Sequence, residues 1–406
     1  MSLLDRFLRY VKIDTQSDPY STTTPSTMKQ KNLGKLLVEE LQELGVSDAY
    51  MDEYGYVYGT IKGNVEGKTL GLIAHMDTSP DVTGENVNPR IIENYDGEDI
   101  ILNESVTTRV SDFPFLKNFV GKTLVVTDGN TLLGADDKAG VVEIMSVVEY
   151  LSNNPDTKHS TIKICFTPDE EIGRGTDEFD VEGFAADFAY TIDGATVGDI
   201  DYENFNAGST DVIVKGVNIH PGSAKDKMIN ANNIAMEFHG LLPVSMRPEH
   251  TIDREGFNHL NNMSGNVEEV KLHYIIRNHD LEGYYSQKQS FVDAKDYINR
   301  KYGKDLVSLN QEDSYFNMYE KVKENMWIVD IAKEAIEKVG LTPASNPIRG
   351  GTDGAMLTYK GLVCPNLGTG GFNFHGKNEF CVVEEMEKSV EIILEIIKSI
   401  PSYDFN

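Results

Sequence analysis

LGLIAHMD, residues 70–77, opens as a largely apolar run and closes on an imidazole and a carboxylate. The run is too short for a typical helix and is apolar almost throughout, so it reads as a strand buried on both faces. Two more runs have the same form, Ile162–Phe166 and Phe188–Ile192, and each also leads into polar chemistry. Glu170 and Glu171 follow the second, and Asp193 follows the third at once. In an open α/β sheet, ligands bind beyond the carboxyl ends of parallel strands, so residues far apart in sequence can meet there.

Helical periods alternate with these strands. Leu33, Leu36, Leu37, Leu41 and Leu44 lie on a helical repeat that stops at Gly45, a glycine end-cap. Ala139–Leu151 reads as another helix, Leu3, Leu4, Phe7, Leu8 and Val11 as an N-terminal one, and Gly55–Ile61 as a strand. The expected fold class is α/β, with a mixed, largely parallel sheet flanked by helices. From about Ala207 the texture changes to strand Asp211–Gly216, helix Asn230–Gly240, strand Val267–Arg277, helix Tyr284–Lys301 and strand Asp305–Leu309. This is a nearly complete ferredoxin-like β-α-β-β-α-β order. Helix Trp327–Val339 and a strand at Gly361–Pro365 then resume the first pattern. Residues 1–206 and 315–406 are therefore expected to form a catalytic domain, with 207–314 inserted into it.

A chain of 406 residues with 40% hydrophobic content has ample material for two cores. Its formal charge of −28 opposes binding to phosphate backbones or anionic lipid, so neither nucleic acid nor membrane is expected as a partner. Three cysteines without a CxxC pair suit a reducing compartment. The N-terminus mixes charge into its apolar positions and has no small-residue cleavage site, and no stretch approaches the roughly 20 apolar residues of a membrane span. A cytoplasmic location is expected.

Five metal-type side chains stand just after such runs or in glycine-flanked turns: His75, Asp136, Glu171, Asp193 and His375. Strand alternation points His75 and Asp77 the same way, so Asp77 can hold the second ring nitrogen of His75. Asp136 follows Gly134 in GADDK and offers two oxygens, enough to bridge a cation pair. The adjacent acids Glu170 and Glu171 repel unless positive charge separates them. Glu171 fits a ligand and leaves Glu170 as general base. Taken singly, each has a mundane counterpart: an incidental His-x-Asp, an N-cap at Asp136, a solvated acidic loop. Taken together they allot His75 and Asp193 to one ion and Glu171 and His375 to the other, with Asp136 between. That nitrogen and oxygen set suits two Zn²⁺ per subunit, with Co²⁺ or Mn²⁺ as substitutes.

AHMDTSPD (74–81), LLGADDKAG (132–140), FTPDEEIGRG (166–175), YTIDG (190–194), HPGSAKDKMINA (220–231), IIRNHD (275–280), PIRGGTDGA (347–355) and FNFHGKNEF (372–380) stand in this order along the chain. In order and separation they resemble the bacterial tripeptide aminopeptidases of the dinuclear zinc aminopeptidase/deacylase superfamily. The resemblance runs from the N-terminal helix to the last strand. It implies His75, Asp136, Glu171, Asp193 and His375 as dizinc ligands, Glu170 as general base, Asp77 as the orienting acid, and a cis peptide after Asp136. It also implies that the inserted domain is a lid used for dimer contact, hence a homodimer acting on tripeptides with water activated by two zinc ions.

Amide hydrolysis also needs donors for a developing oxyanion and an anchor for the peptide's carboxylate. His220 in NIHPG is the expected oxyanion donor, or else a turn histidine before Pro221. Arg277 and Arg349 are the expected carboxylate anchors, or else surface ion-pair partners. Asn218, Asn230 and Asn232 are further candidates for contact with the peptide backbone. Two other functions remain open on the residues alone: a deacylase or carboxypeptidase using the same cluster, and a silent scaffold. Trials on free against N-acetylated tripeptide, and zinc removal and restoration, separate them.

Overall fold

The computed structural model describes residues 1–405, which group into two compact units. One comprises Met1–Tyr202, Glu320–Asn346 and the chain from Thr352 onward; the other comprises Glu203–Tyr319 and Pro347–Gly351. The short Pro347–Gly351 piece, read from sequence with the flanking segments, groups with the second unit.

The first unit is built on a seven-stranded mixed sheet. Its spatial order is Tyr50–Met51, Val57–Ile61, Ile162–Thr167, Leu70–His75, Phe188–Gly194, Asn366–Gly368 and Ile200–Asp201. The central strands run parallel, Leu70–His75 between Ile162–Thr167 and Phe188–Gly194, with Asn366–Gly368 continuing the parallel set. Both margins are antiparallel. Leu70–His75 is buried at every position, which is why it reads as a continuous apolar run rather than an alternating one. On one face Ile73, Cys165 and Ala189 pack with Phe184, Leu357 and Cys364. Helix Ala135–Asn153 lies against Leu70–His75 and Phe188–Gly194, and helices Val383–Ser399 and Trp327–Lys338 pack on each other. Cys165, Cys364 and Cys381 are all free and buried.

Register places the chemistry. His75 pairs with Thr167, so the turn bearing Glu170 and Glu171 begins just past His75. Ile73 pairs with Thr191, which brings Asp193 level with His75.

Two expectations shift. The strand read at Gly361–Pro365 falls instead at Asn366–Gly368. The carbonyls of Val363 and Pro365 do accept from Ala189 and Thr191 (3.0 and 3.1 Å), but Pro365 has no N–H to return, so a regular ladder starts only beyond it. A small antiparallel sheet not read from sequence, Gly371–Phe372, Phe380–Val382, Leu124–Val126 and Arg90–Ile92, supports the turn that carries His375. Its strands are two or three residues long, too short to show a period.

The second unit has the full β-α-β-β-α-β order: Asn206–Lys215, Ala231–Leu241, Phe257–Gly265, Glu269–Asn278, Leu281–Tyr302 and Val307–Tyr315. Its sheet is antiparallel, and Phe257–Gly265 forms one edge. That edge strand is the element missing from the sequence reading; its last five residues are exposed, so the apolar alternation that marks a half-buried strand is absent. The core joins Val212, Phe238, Leu272, Tyr274 and Phe291. Among the described residues no helix is long and apolar enough to cross a membrane.

Candidate metal centre

His75 ends its strand fully enclosed, at 2% exposure. Its Nε2 lies 2.8 Å from Oδ1 of Asp136 and 3.5 Å from Oδ1 of Asp193. Its Nδ1 sits 3.1 Å from the carbonyl of Asp77 and 3.3 Å from that residue's carboxylate. Asp77 itself accepts the N–H groups of Glu170 (3.0 Å) and Glu171 (3.2 Å). One buried acid thus orients the imidazole and holds the acidic turn.

Opposite His75, the Nε2 of His375 lies 2.8 Å from Oε2 of Glu171 and 3.2 Å from Oδ2 of Asp136. The two oxygens of Asp136 therefore face different histidines. Asp136 is not the helix N-cap: that position is Gly134, with φ +82°, and Asp136 has non-helical φ −84° and ψ 104°. A cis peptide follows it, joining Asp136 to Asp137.

The charges in this cluster oppose one another. Burial pushes Glu170 well above the usual carboxylate range, with Asp193, Asp353 and Glu171 adding to the effect. Burial and Asp136 lift Glu171 to about 8, and burial lifts Asp193 to about 6. Asp136 is buried too, yet hydrogen bonds from His375 and His75 hold it below the usual range. The same bonds from Asp136 and Glu171 raise His375 to about 11. Each imidazole Nε2 stands beside two carboxylates, so nitrogen and oxygen donors converge from both sides of Asp136. Oε1 of Glu171 is buried without a partner, a further sign that the site is shaped for an added positive group.

Ligand atoms of His75, Asp136 and Glu171 lie within 4.8 Å of one another, as do those of His75, Asp137 and Asp193. Asp137 is occupied otherwise, since its carboxylate accepts from the N–H groups of His75 (3.1 Å) and Gly140 (3.2 Å). Asp136 and Asp193 are then the acids nearest His75 Nε2, with Glu170 Oε2 further off at 4.0 Å. His75, Asp136, Glu171 and Asp193, with His375 beside Asp136 and Glu171, are the donors that could hold divalent ions.

Three acids near the cluster were missed in the sequence. Glu379, at 1% exposure, accepts from the N–H groups of Leu133, Gly134 and Asp136. Asp353 accepts from Thr167 Oγ1 at 2.8 Å and is lifted by burial to about 7. Asp169, at φ +59°, accepts from Ser26 N, Ser26 Oγ and Gln30 Nε2, tying the acidic turn to the N-terminal segment. An acid set directly against an apolar strand, as in Glu379-Phe-Cys-Val-Val, was the available clue.

The remaining candidates lie in the second unit. His220 accepts the N–H of Gly222 at Nδ1 (3.2 Å), which in the neutral ring leaves Nε2–H to donate. Arg277 donates to the carbonyls of Ile276 (2.9 Å) and Gly208 (3.3 Å) and lies over the Tyr315 ring. Arg349 donates to the carbonyls of Asp253 and Glu255 and to Thr251, and stacks over Phe205 and Phe257. Asn230 caps helix Ala231–Leu241 by accepting from the N–H of Asn232, and Asn218 is exposed.

A mixed α/β sheet with acids and an imidazole at its strand ends, met by an acid from a helix start and a second imidazole from a turn of the small sheet, is the architecture of a metal-dependent hydrolase. Residues 124–399 match the profile of peptidase family M20/M25/M40, and the chain belongs to that family. Peptidase T of Alkaliphilus oremlandii is 53% identical over 403 residues, covering 98% of both chains. Peptidase T of Bacillus subtilis is 51% identical over 400 residues, with 98% coverage of each. Among solved structures, an aminopeptidase PepT from Bacillus cereus superposes with a TM-score of 0.79 at 23% identity, covering 98% of each chain. A tripeptidase from Staphylococcus aureus gives 0.79 at 25% identity, covering 99% of this chain and 98% of its own. The protein is thus a peptidase of this family.

Proposed function

We propose that this chain is a cytoplasmic, homodimeric aminopeptidase that releases the N-terminal residue of tripeptides at a two-zinc centre. The observation that carries the reading is Asp136, whose two oxygens face His75 and His375 separately, as a bridging ligand must. The names of the relatives, Peptidase T and tripeptidase, support the substrate class.

His75 and Asp193 would hold one ion, Glu171 and His375 the other, with Asp136 shared. Co²⁺ or Mn²⁺ would suit the same donors. Such ions lower the pKa of water and polarise the scissile carbonyl. Glu170 takes the proton of the attacking water and returns it to the leaving amine. Asp77 keeps His75 in one tautomer and fixes the turn bearing Glu170. His220 donates to the oxyanion, and Arg277 and Arg349 bind the peptide's carboxylate. The second unit serves as lid and dimer contact. Three unpaired cysteines agree with a cytoplasmic location.

Glu170→Gln tests the chemistry: turnover of a free tripeptide should fall about 10²- to 10⁴-fold, the span of general acid–base catalysis, with bound zinc unchanged. Undiminished turnover sinks the role of Glu170. A panel of di-, tri- and tetrapeptides, free and N-acetylated, tests the substrate. Activity on the acetylated compound alone would make the enzyme a deacylase or carboxypeptidase instead.

A further inference from the structure

Glu379 lies outside the ligand set, yet it touches both turns that flank one half of the site. Its Oε2 accepts from the N–H groups of Leu133 (2.6 Å) and Gly134 (2.8 Å), and its Oε1 from that of Asp136 (3.1 Å). Two successive N–H groups meet one oxygen where Gly134 takes a left-handed φ of +82°. These donors belong to the turn that presents Asp136, where Leu133 and Ala135 are fully buried.

From Glu379 the chain leads back to His375 through a turn with little slack. Both Asn373 (φ +56°) and His375 (φ +62°) are left-handed. The N–H of Glu379 bonds the carbonyl of Gly376 (3.2 Å), Asn373 Nδ2 bonds that of Asn378 (3.3 Å), and Thr127 Oγ1 bonds that of Lys377 (2.8 Å). One end of this template carries the imidazole and the other grips the backbone of Asp136. The space they bound is where His375 Nε2 approaches Asp136 Oδ2 at 3.2 Å and Glu171 Oε2 at 2.8 Å.

We infer that Glu379 is a positioning residue for the second ion: its carboxylate clamps the Asp136 turn to the His375 turn and sets the span between these two ligands. The inference rests on the two-ion reading proposed above. A carboxylate suits the task because it has acceptors only, and three N–H groups converge on it. Glutamine offers one acceptor oxygen and turns an NH₂ toward those donors. His75 and Asp193, which would hold the other ion, approach the opposite oxygen of Asp136, so the loss should fall on one ion rather than both.

The test is zinc binding by the folded, full-length protein, titrated against a chromophoric chelator, with thermal melting recorded in parallel. The parent should hold two ions in two steps. Glu379→Gln should weaken one of the two steps about 10- to 100-fold, as loss of an outer-shell partner does, and leave the other unchanged. Glu143→Gln, which alters a buried acid of the same kind elsewhere, should leave both steps unchanged. In a His375→Ala background, adding Glu379→Gln should cause no further weakening, because both act on the same ion. Parental affinity for both ions in folded Glu379→Gln overturns the assignment, and so does equal weakening of both, the mark of general loosening. If Glu379→Gln fails to fold, Glu379→Asp, an ionised acceptor one methylene shorter, is judged by the same two criteria. A parent that holds fewer than two ions refutes the two-ion reading itself, whatever the variants do.

Discussion

Asp77 and Glu170 are joined by a hydrogen bond: the Asp77 carboxylate accepts the N–H of Glu170 at 3.0 Å, and the same oxygen lies 3.3 Å from Nδ1 of His75. A residue just past one strand end thereby sets both the His75 ring and the neighbouring strand's acidic turn. Asp77→Asn keeps the size but places an NH₂ among donors. Activity on tripeptide should fall about 10- to 100-fold, with zinc affinity falling in parallel. Zinc titration beside steady-state kinetics measures both, and unaltered values would show that Asp77 orients nothing of consequence.

Removal of divalent ions should abolish activity and lower the melting temperature, because Asp136, Glu171, Asp193 and Glu170 are then left together with only His75 and His375 to offset them. Restoring zinc at 100 times its dissociation constant should recover about 2.7 kcal/mol for each ion bound. Calorimetry of chelated and reloaded protein reads this directly. A melting curve indifferent to zinc would count against a metal at this site.

Stability should also depend on pH through Glu143. This acid is fully buried, bonds only Ser389 Oγ at 2.5 Å, and leaves its Oε1 without a partner. Burial raises it well above 4.5, with the Ser389 bond opposing only in part. The folded state therefore keeps a proton that the unfolded chain has released, so stability falls as pH rises from about 4.5 toward the folded value, by up to about 1.4 kcal/mol per unit. Below that window the group contributes no slope. Glu143→Gln should remove the slope, leaving the variant more stable than the parent at pH 8 and similar to it near pH 4. Urea unfolding at the two pH values decides the matter.

The N-terminal helix is pinned by Glu40, whose nearly buried carboxylate accepts from Arg6 Nε (3.3 Å), Arg9 (2.6 Å) and Tyr10 Oη (2.6 Å). Glu40→Ala removes one of the two acids paired with the buried Arg6 and leaves it Glu149 at 2.7 Å. A loss of about 3 kcal/mol is expected on the scale of broken buried pairs, with tripeptide kinetics little changed at 25 °C. Denaturant midpoints provide the measurement.

Arg277 and Arg349 should behave differently although both are proposed carboxylate anchors. Arg277→Ala should chiefly raise KM, by about 10- to 150-fold if it makes one charge-assisted bond of about 1.5–3 kcal/mol. Arg349 also ties Asp253, Glu255 and Thr251 together and covers two rings, so Arg349→Ala should lower the melting temperature as well. Tripeptide KM unchanged in both variants would remove them from substrate binding.

The central strands, the long helices and all five ligand candidates could be read along the chain, because each depends on local matters: a run buried on both faces, a helical repeat ended by glycine, an acid or imidazole at a strand end. What escaped that reading depends on partners distant in sequence. Glu379 is one acid among 65 until the small sheet brings it under Leu133 and Asp136. Phe257–Gly265 becomes a strand by pairing along Glu269–Asn278 rather than by any apolar pattern of its own. Side-chain chemistry and short-range periodicity are properties of a stretch of residues, whereas hydrogen-bond satisfaction deep in a fold belongs to whichever segments packing has placed side by side. The candidate ligands could therefore be picked out along the chain, and the supports that hold them together arose only when it closed on itself.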